Sequence, residues 1–99
     1  MIQWYILNEN NVPVKSTFEE FASSTKQMGH SLQKDLAKNC RVSTVFLGYD
    51  HGYGETHLPL LFETMVFDGD FDGYQMRYST YDEAIQGHKE ILEKILNHN

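Results

Sequence analysis

Two stretches in the middle of the chain, Cys40 to Leu47 (C-R-V-S-T-V-F-L) and Leu60 to Phe67 (L-L-F-E-T-M-V-F), place apolar side chains at odd and even positions alike. Side chains alternate along a strand, so such a run has two apolar faces and calls for cover from both sides. In the first run Val42 and Phe46 fall on one face, Val45 and Leu47 on the other. The remaining elements must be arranged to supply that cover.

Residues Ile2 to Leu7 are rich in aromatic and β-branched types and run into Asn8-Glu9-Asn10-Asn11. That break, followed by Val12-Pro13-Val14, predicts a hairpin whose second strand is short and peripheral, because Pro13 cannot donate to a ladder. Ser16 to Glu20 holds two overlapping S/T-x-x-E capping boxes, which predict a short helix with Phe18, Phe21, Ala22 and Thr25 inward. Residues 28–39 fit two periods: Met28, Leu32 and Leu36 are four apart, as in a helix, yet Leu32, Lys34 and Leu36 also alternate, as in a strand. Lys38-Asn39 reads as a turn, Gly48 to Pro59 as a glycine-broken loop, and Asp68 to Gly73 as a second turn. Like-parity pairing of 60–67 with the strand Tyr74 to Ser79 sets Phe62, Thr64 and Val66 beside Tyr78, Met76 and Tyr74. The same register makes Glu63 and Arg77 neighbours. Thr80-Tyr81-Asp82-Glu83 opens a helix to about Asn97, with Tyr81, Ala84, Ile85, His88, Leu92, Ile95 and Leu96 as its inward stripe. Gly87 in its middle costs about 1 kcal/mol relative to alanine, which asks for a close backbone approach beside it.

The fold expected from these elements is α+β. One domain spans 1–99, with an antiparallel sheet of about five strands and a long C-terminal and a shorter N-terminal helix packed on it. Two helices cover one sheet face, so the other is expected to be buried by a second copy in a homodimer. The formal net charge is −6, and the eight basic residues never cluster, which argues against a nucleic-acid partner. One cysteine, Cys40, excludes an internal disulfide and fits a reducing compartment. The start of the chain is not expected to be a signal peptide, and no apolar run is long enough to cross a bilayer, so a cytoplasmic protein is expected.

Chemistry-bearing side chains concentrate in the same middle region. The loop G-Y-D-H-G-Y-G-E-T-H holds Asp50, His51, Glu55 and His57, suited to acid–base work or metal ligation, although the spacing fits no zinc signature. Asp68-x-Asp70-x-Asp72-Gly73 matches the first half of a calcium loop, but Ser79 stands where a bidentate glutamate is needed. Glu63 lies mid-strand among apolar neighbours and requires a partner, for which Arg77 and His88 are available. Ser43, Tyr49, Asp50, His51, Glu63, Arg77, Tyr78 and His88 are the candidate ligand- or partner-binding residues. No nucleophile elbow, phosphate loop or H-E-x-x-H motif is present, and no cofactor is expected.

The motifs V-S-T-V-F-L-G-Y-D-H (42–51), P-L-L-F-E-T-M-V-F (59–67), R-Y-S-T-Y-D-E-A (77–84) and G-H (87–88) together resemble a family of small proteins found in tailed phages and prophages. The resemblance spans most of the chain and implies a strand over 32–37. Asp68 to Gly73 departs from it, since similar proteins do not usually carry D-x-D-x-D-G there. It implies an accessory protein acting in the host cytoplasm, and no particular reaction. The expected function is therefore non-enzymatic binding and neutralisation of a bacterial host factor of the defence type. The alternatives are sequestration of a nucleotide-derived signal in a pocket near Asp50, Glu63 and Arg77, and a small hydrolase-like enzyme using Asp50, His51, Glu63 or His88.

Overall fold

A computed structural model describes residues 2–24, 30–50 and 58–98. The elements are β1 (Gln3–Leu7), β2 (Pro13–Ser16), α1 (Phe18–Ser23), β3 (His30–Ala37), β4 (Cys40–Phe46), β5 (Tyr49–Asp50), β6 (Phe62–Phe67), β7 (Gln75–Tyr78) and α2 (Tyr81–Leu96). All pairings are antiparallel, and the class is α+β as expected. The strands form two sheets rather than one of about five, in the orders β3-β4-β6-β7 and β2-β1-β5. The division lies at Gly48, whose φ of 84° turns the chain out of β4. Beyond it, Tyr49 and Asp50 pair with Trp4 and Gln3, so the expected loop begins with a short strand. Residues 51–57 of that loop lie outside the described residues.

The ambiguous segment is a strand. β3 meets β4 across Lys38-Asn39, both with positive φ, which is the geometry of a tight hairpin turn. A bulge between Ser31 and Gln33 shifts the alternation by one residue. Leu32 therefore packs against the cluster containing Phe46 and Ala84, whereas Leu36, four residues on, stands 82% exposed on the opposite face. The bulge, not a helix, accounts for the conflict between the two periods.

α2 starts as its capping box requires. Thr80 Oγ1 accepts from the Glu83 N–H at 3.1 Å, and Glu83 Oε1 accepts from the Thr80 N–H at 3.1 Å. Its buried stripe is Ala84, Gly87, His88, Ile91 and Ile95. Ile91, absent from the expected stripe, lies at its centre, while Leu96, expected inward, is 52% exposed. The 3.6-residue period explains both: 84, 88, 91 and 95 stay on one line, and 96 has rotated past it. Beneath the helix lie Val42, Thr44 and Phe46 of β4 and Phe62, Thr64 and Val66 of β6, all fully buried. Each large apolar side chain there contributes about 1.5–3 kcal/mol of burial. Tyr5 and Leu7 of β1 fill the end of that core, against Phe46, Leu61, Phe62 and Ala84.

α1 does not join α2 on the four-stranded sheet. Its capping box, Thr17 with Glu20, starts a helix that packs on β1. Trp4 is the hub, with ring centroids 4.7 Å from Phe21, 5.2 Å from Phe18 and 6.1 Å from Tyr49. Of the residues expected inward, Phe21 is buried, but Phe18 and Ala22 are exposed and Thr25 is outside the described residues. The four-stranded sheet is thus covered on one face by α2 and β1. No described element covers the other.

Gly87 meets the close approach its position implied. A methyl group built there overlaps the hydroxyl oxygen and ring of Tyr78, which lies against the helix backbone. Gly87→Ala should therefore destabilise the fold by about 1–3 kcal/mol, although helix propensity alone favours alanine. In a Tyr78→Ala background the same change should become stabilising. Urea denaturation of the four variants measures both.

Candidate functional site

The register fixes which side chains share the uncovered face. Rows cross the four strands as Leu36–Arg41–Phe67, Lys34–Ser43–Met65–Gln75 and Val45–Glu63–Arg77. Their apolar centre is Val45, Met65 and Phe67, all half-buried, continued by the exposed Leu36. The Arg41 guanidinium sits 4.7 Å from the Phe67 ring centroid, a cation–π distance. Glu63 and Arg77 face each other as the register predicted. Glu63 Oε2 accepts from Arg77 Nε at 2.9 Å and also from Gln75 Nε2. Its carboxylate is nearly buried, and the two donors supply what a desolvated charge requires. Lys34, Arg41 and Arg77 stand against Glu63 as the only carboxylate in those rows, so this face of an acidic protein is locally basic.

The other candidate residues lie elsewhere. Tyr49 and Asp50 are half-buried in the smaller sheet. His51 lies outside the described residues, as do Glu55 and His57. Tyr78 and His88 lie on the helix-covered side, across the sheet from Glu63 and Arg77. Among the described residues, Glu63, Arg77 and His88 therefore do not converge on one cavity.

His88 instead anchors a polar chain that runs from the partly exposed Asp35 into the core. Its Nδ1 is 2.7 Å from Thr44 Oγ1, and its Nε2 is 2.8 Å from Asp35 Oδ2. Thr44 Oγ1 is 2.5 Å from Thr64 Oγ1. Hydroxyl, imidazole and carboxylate follow in the order of a catalytic relay. The Thr44 hydroxyl is fully buried, however, and no substrate can reach it. What the chain does is fix α2 on the sheet, because any other helix register leaves these groups unsatisfied. Asp35, Thr44 and Thr64 were not singled out in the sequence. The signal was available in the strands: Thr44 and Thr64 occupy core-facing parity between apolar residues, and a hydroxyl there needs a partner.

The aspartates of 68–73 serve the turn. Asp72 Oδ1 accepts from the Asp68 N–H at 2.6 Å, and Asp70 Oδ2 lies 3.2 Å from His98 Nε2. Among the described residues no group of three or more His, Cys, Asp or Glu side chains is placed to hold a metal ion. Nor, among them, is any helix long and apolar enough to cross a membrane.

Thr44→Val keeps the shape of the core but strips His88 and Thr64 of a partner, at a cost of about 1–3 kcal/mol in denaturant unfolding. Alkaline titration gives a second check. Burial, with a smaller contribution from Tyr74, pushes the Tyr78 phenol up to about 12 from an ordinary value of 10.0. Burial and then the charge of Asp50 push Tyr5 upward as well. Above pH 10 the unfolded chain releases protons that the fold still holds, so stability should fall as the pH rises from 10.0 to about 12. Tyr78→Phe should flatten that fall.

Compared with protein-family models, curated proteins and solved structures, the chain matches none.

Proposed function

We propose that this chain is a non-enzymatic binding protein whose contact surface is the uncovered face of the four-stranded sheet. The observation that carries the reading is Leu36, 82% exposed in a row where Arg41 stands between it and Phe67, with the half-buried Met65 and Val45 in the rows beyond. A large apolar side chain held open to water on a face with other half-buried apolar groups and flanking cations is characteristic of an interaction surface. Aromatic, methionine and arginine side chains are the types enriched at interface centres, and Phe67, Met65 and Arg41 supply them.

Charge selects the occupant. The rows carry three cations and one carboxylate, and that carboxylate is already held by Arg77 and Gln75. A second copy would bring the same cations face to face, whereas an acidic protein surface complements them. The homodimer expected from the sequence is therefore the weaker occupant. In the phage setting that the sequence resemblance implies, the partner is an acidic bacterial host protein, of the defence type, that the chain binds and neutralises.

The test compares capture from host lysate by the tagged native chain and by Leu36→Asp and Arg41→Glu. Both positions are exposed, so folding should be unchanged by circular dichroism. One stoichiometric acidic protein should be retained by the native chain and lost by roughly tenfold or more with either variant. Equal capture by all three, or sedimentation showing a dimer that the variants dissociate, would overturn the reading.

A further inference from the structure

A second surface lies at the opposite side of the fold, where β7 ends the sheet beside α2. The β6–β7 ladder has a phase. The Val66 N–H donates to the Tyr74 C=O at 3.0 Å, which makes 66 with 74, 64 with 76 and 62 with 78 the bonded pairs. The N–H and C=O groups of Gln75 and Arg77 accordingly point away from β6. Among the described residues no strand pairs with that edge. β7 carries no proline or lysine; it is four residues long, and its one charged side chain, Arg77, is turned to Glu63 on the other face.

Beside this edge runs a groove of about 570 Å³, floored by Tyr74, Met76 and Tyr78 of the sheet and walled by α2. Side chains of an added strand alternate, and every second one would drop into the groove. The floor is apolar, and Met76 is exposed there. The helical wall presents Asp82, Glu83 and Glu90 against one cation, Lys94. An apolar floor under an acidic wall, along an unpaired ladder, is suited to an extended peptide with an apolar anchor flanked at alternate positions by lysine or arginine.

We propose that the β7–α2 groove binds such a basic, extended segment of a partner protein by strand addition. A second copy is disfavoured: pairing two β7 edges brings the acidic walls of both helices together and sets arginine near arginine. This site is independent of the uncovered face, which is locally basic and lies across the sheet, so either can fail without the other.

Selection of a displayed library of random peptides, each about ten residues long, on the intact chain tests the proposal. Enriched sequences should alternate lysine or arginine with small or β-branched residues around one apolar anchor. Binding should shift the Gln75 and Arg77 amide resonances and slow their hydrogen exchange, as new ladder bonds require. Glu90→Lys and Met76→Lys, both at exposed positions, should each weaken it by about tenfold or more, while Leu36→Asp leaves it unchanged. Selection that enriches no such pattern overturns the proposal, as do peptides whose amide shifts map to Leu36, Arg41 and Phe67 rather than to β7, and self-association through β7.

Discussion

One helix has to cover a four-stranded sheet, and it is too narrow to do so. A helix with its side chains is about 10 Å across, while the outer strands of such a sheet are about 14 Å apart. α2 therefore lies over the middle strands, β4 and β6, where the fully buried residues are found. At one end β1 supplies Tyr5 and Leu7 to complete the core. At the β7 edge no described residue completes it, and the groove is the space left over. The surfaces proposed for binding both follow from this shortage of cover.

The polar chain from Asp35 through His88 and Thr44 to Thr64 shows how so small a core specifies a single arrangement. Apolar packing alone tolerates sliding of a helix on a sheet by a turn. A buried histidine bonded on both ring nitrogens does not, because each displaced register strands a donor or an acceptor away from water. Gly87 adds a steric condition to the same contact, since the Tyr78 ring occupies the volume of its missing side chain. Tyr78 thus belongs both to a close helix–sheet approach and to the floor of the groove. A change there is felt in stability and in the shape of the surface together.

The two faces of the sheet differ in kind. On the covered face, polar atoms are few and are bonded to one another. On the open face, the one nearly buried carboxylate, Glu63, is bonded, and the remaining charges are cations at the margins of an apolar strip. A protein with a formal net charge of −6 that keeps one basic surface has separated its charges by location. On the helix side, α2 carries Asp82, Glu83, Glu90 and Glu93 beside Lys89 and Lys94. The two proposed surfaces therefore call for partners of opposite charge.

Local chemistry in the sequence determined a good deal. The capping boxes at Thr17 and Thr80, the turn at Lys38-Asn39, the peripheral place of Pro13 and the Glu63–Arg77 register all depend on neighbours in the chain or on parity, and each is found. Three features were decided only in three dimensions. The bulge in β3 set Leu32 and Leu36 on opposite faces, because one inserted residue shifts every later side chain and leaves no mark in composition. The turn at Gly48 divided the expected single sheet, since a glycine permits that turn without requiring it. The sorting of Glu63 and His88 onto opposite faces depended on which side α2 chose, and strand alternation defines two sides without saying which will be covered.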